Sequence, residues 1–389
     1  MRIPIPAPFT GPAVNPITPN ITDLAEKKEE NRKRRQERRK ALDDRTKQET
    51  TRAKSWAREW LDALVFAAVA ALIIRALFLE AFRIPTPSME STLLTGDFLL
   101  VSKVHYGART PMTVGIPFTG VYIRGFEMPW TRLPGFMDVR RGDILVFNYP
   151  VDDGAVSQKT NYIKRAVAVA GDTLAIRDKV IYINGQPEEM EETFEQHYEV
   201  TVRERLRLSP SKVRAAGGQM LPSPGDTYRI NMKASVAEEM ARWPEINRVE
   251  PLVLPISFND NARQPFTFAQ GFRGNYHHMP RIIIPYEGQT VTLSDRNWHI
   301  YSDIVTRFEG NEVSRAGNRF VINGDTTNQY TIQQDYYFMI GDSRDNSEDS
   351  RFWGFVPDDH VVGRAWIIYF SWDGERILPR VRRFLNRIN

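Results

Sequence analysis

The sequence predicts a mainly β protein carried behind a single apolar helix, with a second region inserted into the β domain. Three observations predict it. Trp60–Leu79 is the only long apolar segment among the 389 residues. Beyond residue 83, short runs of β-branched and aromatic residues alternate with turn residues, as in Asp143–Phe147, Tyr162–Val169 and Tyr336–Ile340. Two Asn-Gly pairs, Asn184-Gly185 and Asn323-Gly324, stand directly after such runs, where two-residue hairpins need positive φ.

Residues 1–55 read as a basic arm, disordered or loosely helical. They hold 14 Lys/Arg against 8 Asp/Glu, including the charge run Asn31–Lys40. The rest of the chain holds 38 basic and 40 acidic residues, so the arm alone makes the protein basic. A nucleic-acid partner therefore has little support in the folded part. There are no cysteines, which excludes disulfides, thiolate nucleophiles and cysteine metal sites.

Residues 56–82 are expected to form a transmembrane anchor. The longest uncharged run, Ala63–Ile74, falls short of the roughly 20 residues that span a bilayer. The length suffices if Asp62 lies at one interface and Arg75 snorkels to the other. A buried soluble helix is the alternative; a cleaved leader is disfavoured, since the preceding region is too long. The basic residues before the anchor predict a cytoplasmic N-terminus, with everything after residue 82 on the other face.

Residues 83–187 and 320–375 are expected to make the β domain. Residues 104–138, rich in Pro, Gly and aromatics, read as a long loop whose Phe118, Phe126, Trp130 and Phe136 either dip into a leaflet or pack internally. Residues 188–319 give weaker signals and read as an insertion without assigned chemistry. In residues 376–389, Ile377, Val381, Phe384, Leu385 and Ile388 share one face of a predicted helix beside four arginines, destined for a membrane surface or its own domain.

Ser88 lies nine residues beyond Leu79, and a serine hydroxyl needs a base before it can attack. No histidine stands in a triad motif. The pair His277-His278 reads as a surface loop rather than a metal site, and no cofactor or metal is expected. A buried lysine is the other option, since desolvation favours the neutral amine. Strand alternation in Asn161–Ala170 puts Tyr162, Lys164, Ala166 and Ala168 on one face, so Lys164 shares it with small and aromatic residues. Alone, that pattern favours a snorkelling or ion-paired strand lysine over a catalytic base.

Four segments taken together go further. Ile84–Leu93, Arg141–Phe147, Tyr162–Asp172 and Gly341–Pro357 resemble, in order, the four sequence boxes of type I signal peptidases. The resemblance implies a β catalytic domain and a membrane-bound Ser/Lys endopeptidase that removes signal peptides from preproteins. It implies Ser88 as nucleophile, Lys164 as general base and Thr86, with the Ser88 N–H, as oxyanion hole. Ser347 matches a serine that orients the lysine, Asp349 and Arg351 a supporting ion pair, and Tyr162 a residue packed on the lysine. The chain departs from the family at Pro87, often Gly, and at Glu90-Ser91, where a pair containing proline is common. The implied partners are signal peptides, the lipid bilayer and the export translocon, and the implied location is the bacterial inner membrane with the catalytic domain on the periplasmic face. Two rivals remain: a self-cleaving Ser/Lys protease of the SOS-repressor type, and a non-catalytic, membrane-tethered peptide-binding β domain.

Overall fold

The computed structural model describes residues 21–112, 115–116, 121–122, 128–189, 192–223, 227–258, 266, 274–374 and 376–388. Phe118 and Phe126 lie outside them. The chain divides into two units, Met1–Ala71 and Leu72–Asn389. The first holds most of helix α1 (Ile21–Leu77), so residues 21–55 of the basic arm are helical. Alternating-sign charges four apart, Glu29 with Lys33 and Glu30 with Arg34, support that surface helix. Further along, Leu61, Leu64, Val65, Phe66 and Val69 are exposed. Arg58–Leu77 is, among the described residues, the helical stretch long and apolar enough to cross a membrane.

The second unit is mainly β, as the alternation predicts. Its principal sheet is antiparallel and uses β1 (Leu79–Arg83), β2 (Asp97–Ser102), β3 (Ile144–Asn148), β4 (Asn161–Ala168), β5 (Tyr336–Ile340) and β6 (Val361–Asp373). The spatial order is β1-β2-β6-β3-β4-β5, followed by the short strand Val356–Pro357. One apolar cluster joins Ile84, Met89 and Leu93 to β2, β3 and β6, and a second joins Leu145, Phe147 and Ala166 to Met339 and Trp353. Because β3 is covered on both faces, Ile144–Phe147 reads as a continuous apolar run. Both Asn-Gly hairpins form: Asn184 and Asn323 have φ of 53° and 50°, each followed by a glycine at positive φ.

Within 188–319, Glu195–Val202, Gln219–Leu221, Thr227–Lys233 and Ile246–Pro251 make a separate four-stranded sheet around Tyr198, Val200, Ile230 and Met232. Further on, Met279–Ile283 pairs with Thr173–Arg177, and Thr290–Thr292 with Gln329–Thr331. The end of this region is thus woven into strands outside it.

Two expectations are corrected. Residues 377–388 form no α-helix: Leu378–Pro379 and Asn386–Arg387 pair with β6, joined by the one-turn 3-10 helix Val381–Arg383. Ile377 and Leu385 adopt φ of 55° and 58°, which interrupts any helix, and Arg383 is drawn onto buried Asp97 at 2.6 Å. Nor is His277 on a surface loop. It is 2% exposed, accepts the Leu254 N–H and faces Asp345 at 3.0 Å. Burial pushes its pKa down to about 4, so it sits there as the neutral ring. In the long loop Phe136 is 84% exposed, while Trp130 is half-buried.

Candidate active site

Ser88 is the middle residue of a one-turn 3-10 helix, Pro87–Met89. Pro87 presets φ for the first turn, and Thr86 before it is extended, with φ −124° and ψ 154°. Buried Met89 and Leu93 pin the turn to the core, Leu93 N–H donating to the Met89 carbonyl at 2.8 Å. In a first helical turn the N–H groups have no intrahelical acceptor, which leaves the Ser88 N–H as a candidate donor for a bound oxygen. Ser91 follows at φ 83°, a conformation proline's ring cannot adopt. The departure from the proline-containing pair therefore has a backbone reason.

Lys164 comes from β4, in register with Leu145 of β3. Its Nζ stands 2.7 Å from Ser88 Oγ and 3.0 Å from the Ile163 carbonyl oxygen. The side chain is 3% exposed, and burial lowers its pKa to about 8, with Asp349, Asp342 and Glu348 pulling weakly the other way. The Tyr162 ring lies 5.4 Å from Nζ and is stacked on Tyr149 at 4.5 Å, with the Trp353 ring edge-on at 5.4 Å. Aromatic walls on this side keep water from the amine.

The loop from Gly341 to Arg351 closes the site from behind. The Ser343 N–H donates to the Ser88 carbonyl at 3.2 Å, which ties the loop to the serine directly. Asp349 and Arg351 form a buried bidentate pair at 2.8 Å. Burial alone would push the Asp349 carboxyl up, but the Arg351 guanidinium holds it below the usual carboxylate range. Hydrogen bonds from Arg351, Ser347 and the Gly341 N–H add to that effect. Ser347 is 2% exposed and lies against Gly341, beside Ser88. It engages Asp349, while the amine's hydrogen bonds run to Ser88 and Ile163.

The structure thus brings Ser88, Lys164 and Tyr162 together, with Ser347, Asp349 and Arg351 packed behind them. Thr86 is exposed two residues before Ser88, and its hydroxyl does not cap the 3-10 turn. Two buried charged residues close to the dyad, Arg165 and Asp342, had no role assigned from sequence. Arg165, next to Lys164 but on the opposite face, makes a bidentate pair with fully buried Asp342 at 2.8 Å, and Thr92 donates to the same carboxylate at 2.6 Å. The signal was present: adjacent cations within a buried strand need different solutions, one paired and one neutral.

Among the described residues no group of three or more acidic or histidine side chains could hold a metal. The arrangement offers a serine hydroxyl, a base poised near neutral and a donor for a developing oxyanion, which is the equipment for acyl transfer. The chain matches the family described as signal peptidase, peptidase S26, over residues 57–235 and 282–372. It is 26% identical over 330 residues to signal peptidase I of Pseudomonas aeruginosa, spanning 80% of this chain and 72% of that one. It is 28% identical over 332 residues to signal peptidase I of Buchnera aphidicola, spanning 84% and 79%. With signal peptidase I of Aquifex aeolicus it shares 26% over 324 residues, spanning 81% and 84%. A match over more than half its length, together with a serine and a desolvated lysine in contact, places the chain in the signal peptidase family, peptidase S26.

Proposed function

We propose that this protein is a serine endopeptidase that removes signal peptides from exported preproteins through a Ser88–Lys164 acyl-enzyme. The observation that carries the reading is the 2.7 Å contact between Ser88 Oγ and a buried lysine amine whose pKa is lowered to about 8. Neutral Lys164 takes the Ser88 proton as Oγ attacks the scissile carbonyl. The oxyanion is received by the Ser88 N–H and the Thr86 hydroxyl. On collapse the C–N bond breaks, and the Lys164 ammonium returns its proton to the leaving amine. Lys164 then takes a proton from water, which opens the ester and restores Ser88.

An extended peptide has a place to bind. The partner register of β5 along β4 ends at Arg165, so on that side Asn161–Lys164 have no strand partner among the described residues. A substrate strand added there, beside Arg83–Thr86, would be held by main-chain hydrogen bonds, with specificity from alternate side chains. Small residues such as an Ala-x-Ala end suit shallow pockets. The apolar stretch Arg58–Leu77 serves as the anchor, with the basic arm cytoplasmic and the catalytic domain on the outer face of the bacterial inner membrane. Lipid and the export translocon are then its neighbours. Ser347, Asp349, Arg351 and Tyr162 act as positioning residues for the dyad.

Purified preprotein incubated with wild type, Ser88→Ala and Lys164→Ala tests the reading. Cleavage by wild type alone is expected; cleavage surviving either substitution removes the dyad. Binding without cleavage by wild type would favour a tethered peptide-binding domain. For the oxyanion hole, Thr86→Val is expected to lose about 10²–10³ in kcat, whereas Thr86→Ser stays near wild type. Wild-type turnover by Thr86→Val would take Thr86 out of the mechanism.

A further inference from the structure

Beyond the dyad, a second buried lysine is held by a histidine that acyl transfer does not use. Lys159 lies two residues before β4 and is 8% exposed; His360 directly precedes β6 and is 2% exposed. Lys159 Nζ stands 3.0 Å from His360 Nε2, and His360 Nδ1 stands 2.6 Å from Asp359 Oδ1. These partners fix the protons. A carboxylate can only accept, so Nδ1 carries the ring hydrogen; an ammonium can only donate, so Nε2 is bare. His360 is therefore neutral in this arrangement. The ammonium donates its other hydrogen bond to the Pro150 carbonyl at 3.3 Å.

The pair stands at the root of the hairpin that joins β3 to β4. Asn148, the last residue of β3, donates from Nδ2 to the Lys159 carbonyl at 3.3 Å and to Asn161 Oδ1 at 3.1 Å. Asn161 opens the unpaired edge Asn161–Lys164. Half-buried Arg109 bridges both sides, donating to Asn148 Oδ1 and to the Asp359 carbonyl, each at 2.8 Å. Pro150 follows Tyr149, whose ring is stacked on Tyr162 at 4.5 Å, and the Tyr162 ring lies 5.4 Å from Lys164 Nζ. His360 thus reaches the aromatic wall of the dyad through Lys159, Pro150 and Tyr149 in turn.

Burial is the largest influence on His360 and lowers its pKa from 6.5; Asp359 pulls the other way, while Lys159 and Arg109 add to the lowering. The Phe308 ring covers it edge-on at 5.7 Å. Burial and then Arg307 lower the Lys159 pKa, against Asp359, Asp152 and Asp153. The histidine ring therefore stays neutral at neutral pH and gains a proton only in acid. Two donors then face each other across the same gap, and the bond from Lys159 is lost. We propose that Lys159 and His360 are positioning residues for the substrate: their hydrogen bond fixes the root of the β3–β4 hairpin, and a proton on Nε2 releases it. This rests on the peptidase reading above, in which an extended peptide pairs along Asn161–Lys164. Acid then weakens substrate binding independently of the base. Lys164 changes charge at about pH 8, so below neutrality it is already protonated and contributes no further change.

The test measures peptide affinity with the full-length Ser88→Ala variant in non-ionic detergent micelles, where turnover is removed. The probe is a signal-sequence peptide with blocked ends and no group that titrates in the range used. Its Kd is expected to rise about tenfold between pH 7 and about pH 5, within the tenfold per pH unit that one proton allows. In the same background, His360→Gln supplies Lys159 with an acceptor that does not titrate. It should bind like its parent at pH 7 and keep that affinity in acid. Lys159→Met removes the opposing ammonium and the tie to Pro150, so weaker binding at pH 7 and no further loss in acid are expected. Equal affinity of the parent at the two pH values overturns the proposal alone, as does an acid loss that persists in His360→Gln. Absence of binding at every pH, together with failure of wild type to cut a preprotein, overturns the peptidase reading and this inference with it.

Discussion

Lys164→Met is expected to abolish turnover, with a loss of about 10⁴ or more in kcat/KM, while raising the melting temperature. The activity loss follows from the proposed dyad, in which Lys164 Nζ, 2.7 Å from Ser88 Oγ, takes the hydroxyl proton. Losing the base of a nucleophile–base unit typically costs about 10⁴–10⁶. The stability gain follows from the same burial that makes the base useful. The amine's pKa falls from 10.5 to about 8. Between those values the unfolded chain takes up a proton that the native one refuses, so wild-type stability falls as pH falls through that window and levels out below about 8. At neutral pH the full penalty, about 3 kcal/mol, is present. Methionine of similar length removes it, less the hydrogen bonds to Ser88 and Ile163, at about 1 kcal/mol each. Thermal melts at pH 7 and pH 10.5 check this: the variant's advantage should shrink at the higher pH, and a variant less stable at both would contradict it. Wild-type kcat/KM, in turn, should rise through about pH 8 as the amine loses its proton.

Gly341→Ala is expected to cost about 10² in kcat with the fold retained. Gly341 does not need an unusual backbone; its constraint is space. A Cβ there would collide with Ser347 Oγ and the Ser88 carbonyl oxygen, well inside van der Waals contact. One of the two must move, and both are attached to the dyad's support. Displacement of a reacting group by about 1 Å commonly costs on the order of 10²-fold. Overpacking would add about 1–3 kcal/mol of destabilisation. Gly374→Ala, where a Cβ meets nothing within 4 Å, is the matched control and should leave both quantities unchanged. A Gly341→Ala enzyme with wild-type kcat would mean that the loop yields without disturbing Ser88.

Much of this site was legible in the sequence because its residues are locally constrained. The strand pattern around Lys164 gained its meaning from the neighbouring segments, and the Gly341–Pro357 segment stood out by its length and order. The positions that sequence left open depend on distant partners. Asp342 acquires its meaning only when Arg165, on another strand, meets it. His277 looked like half of a polar loop until Asp345 and the Leu254 N–H enclosed it. The C-terminal residues misled because helical spacing and a paired extended run are both compatible with five apolar residues among arginines. The edge of β6 and the pull of Asp97 on Arg383 decided between them. Residues 195–251 gave weak alternation because their strands carry a small core of their own.

The spacing of the site along the chain has a consequence for how the protein is made. Ser88 and Lys164 are separated by 76 residues, and the contact of Thr92 with Asp342, which fastens the closing loop, spans 250. Synthesis proceeds from the N-terminus, so the anchor and the serine emerge from the ribosome long before the segment that seats them. Until that segment arrives, the hydroxyl has no fixed geometry and the lysine no dry pocket to lower its pKa. A nascent chain of this kind is silent through most of its translation.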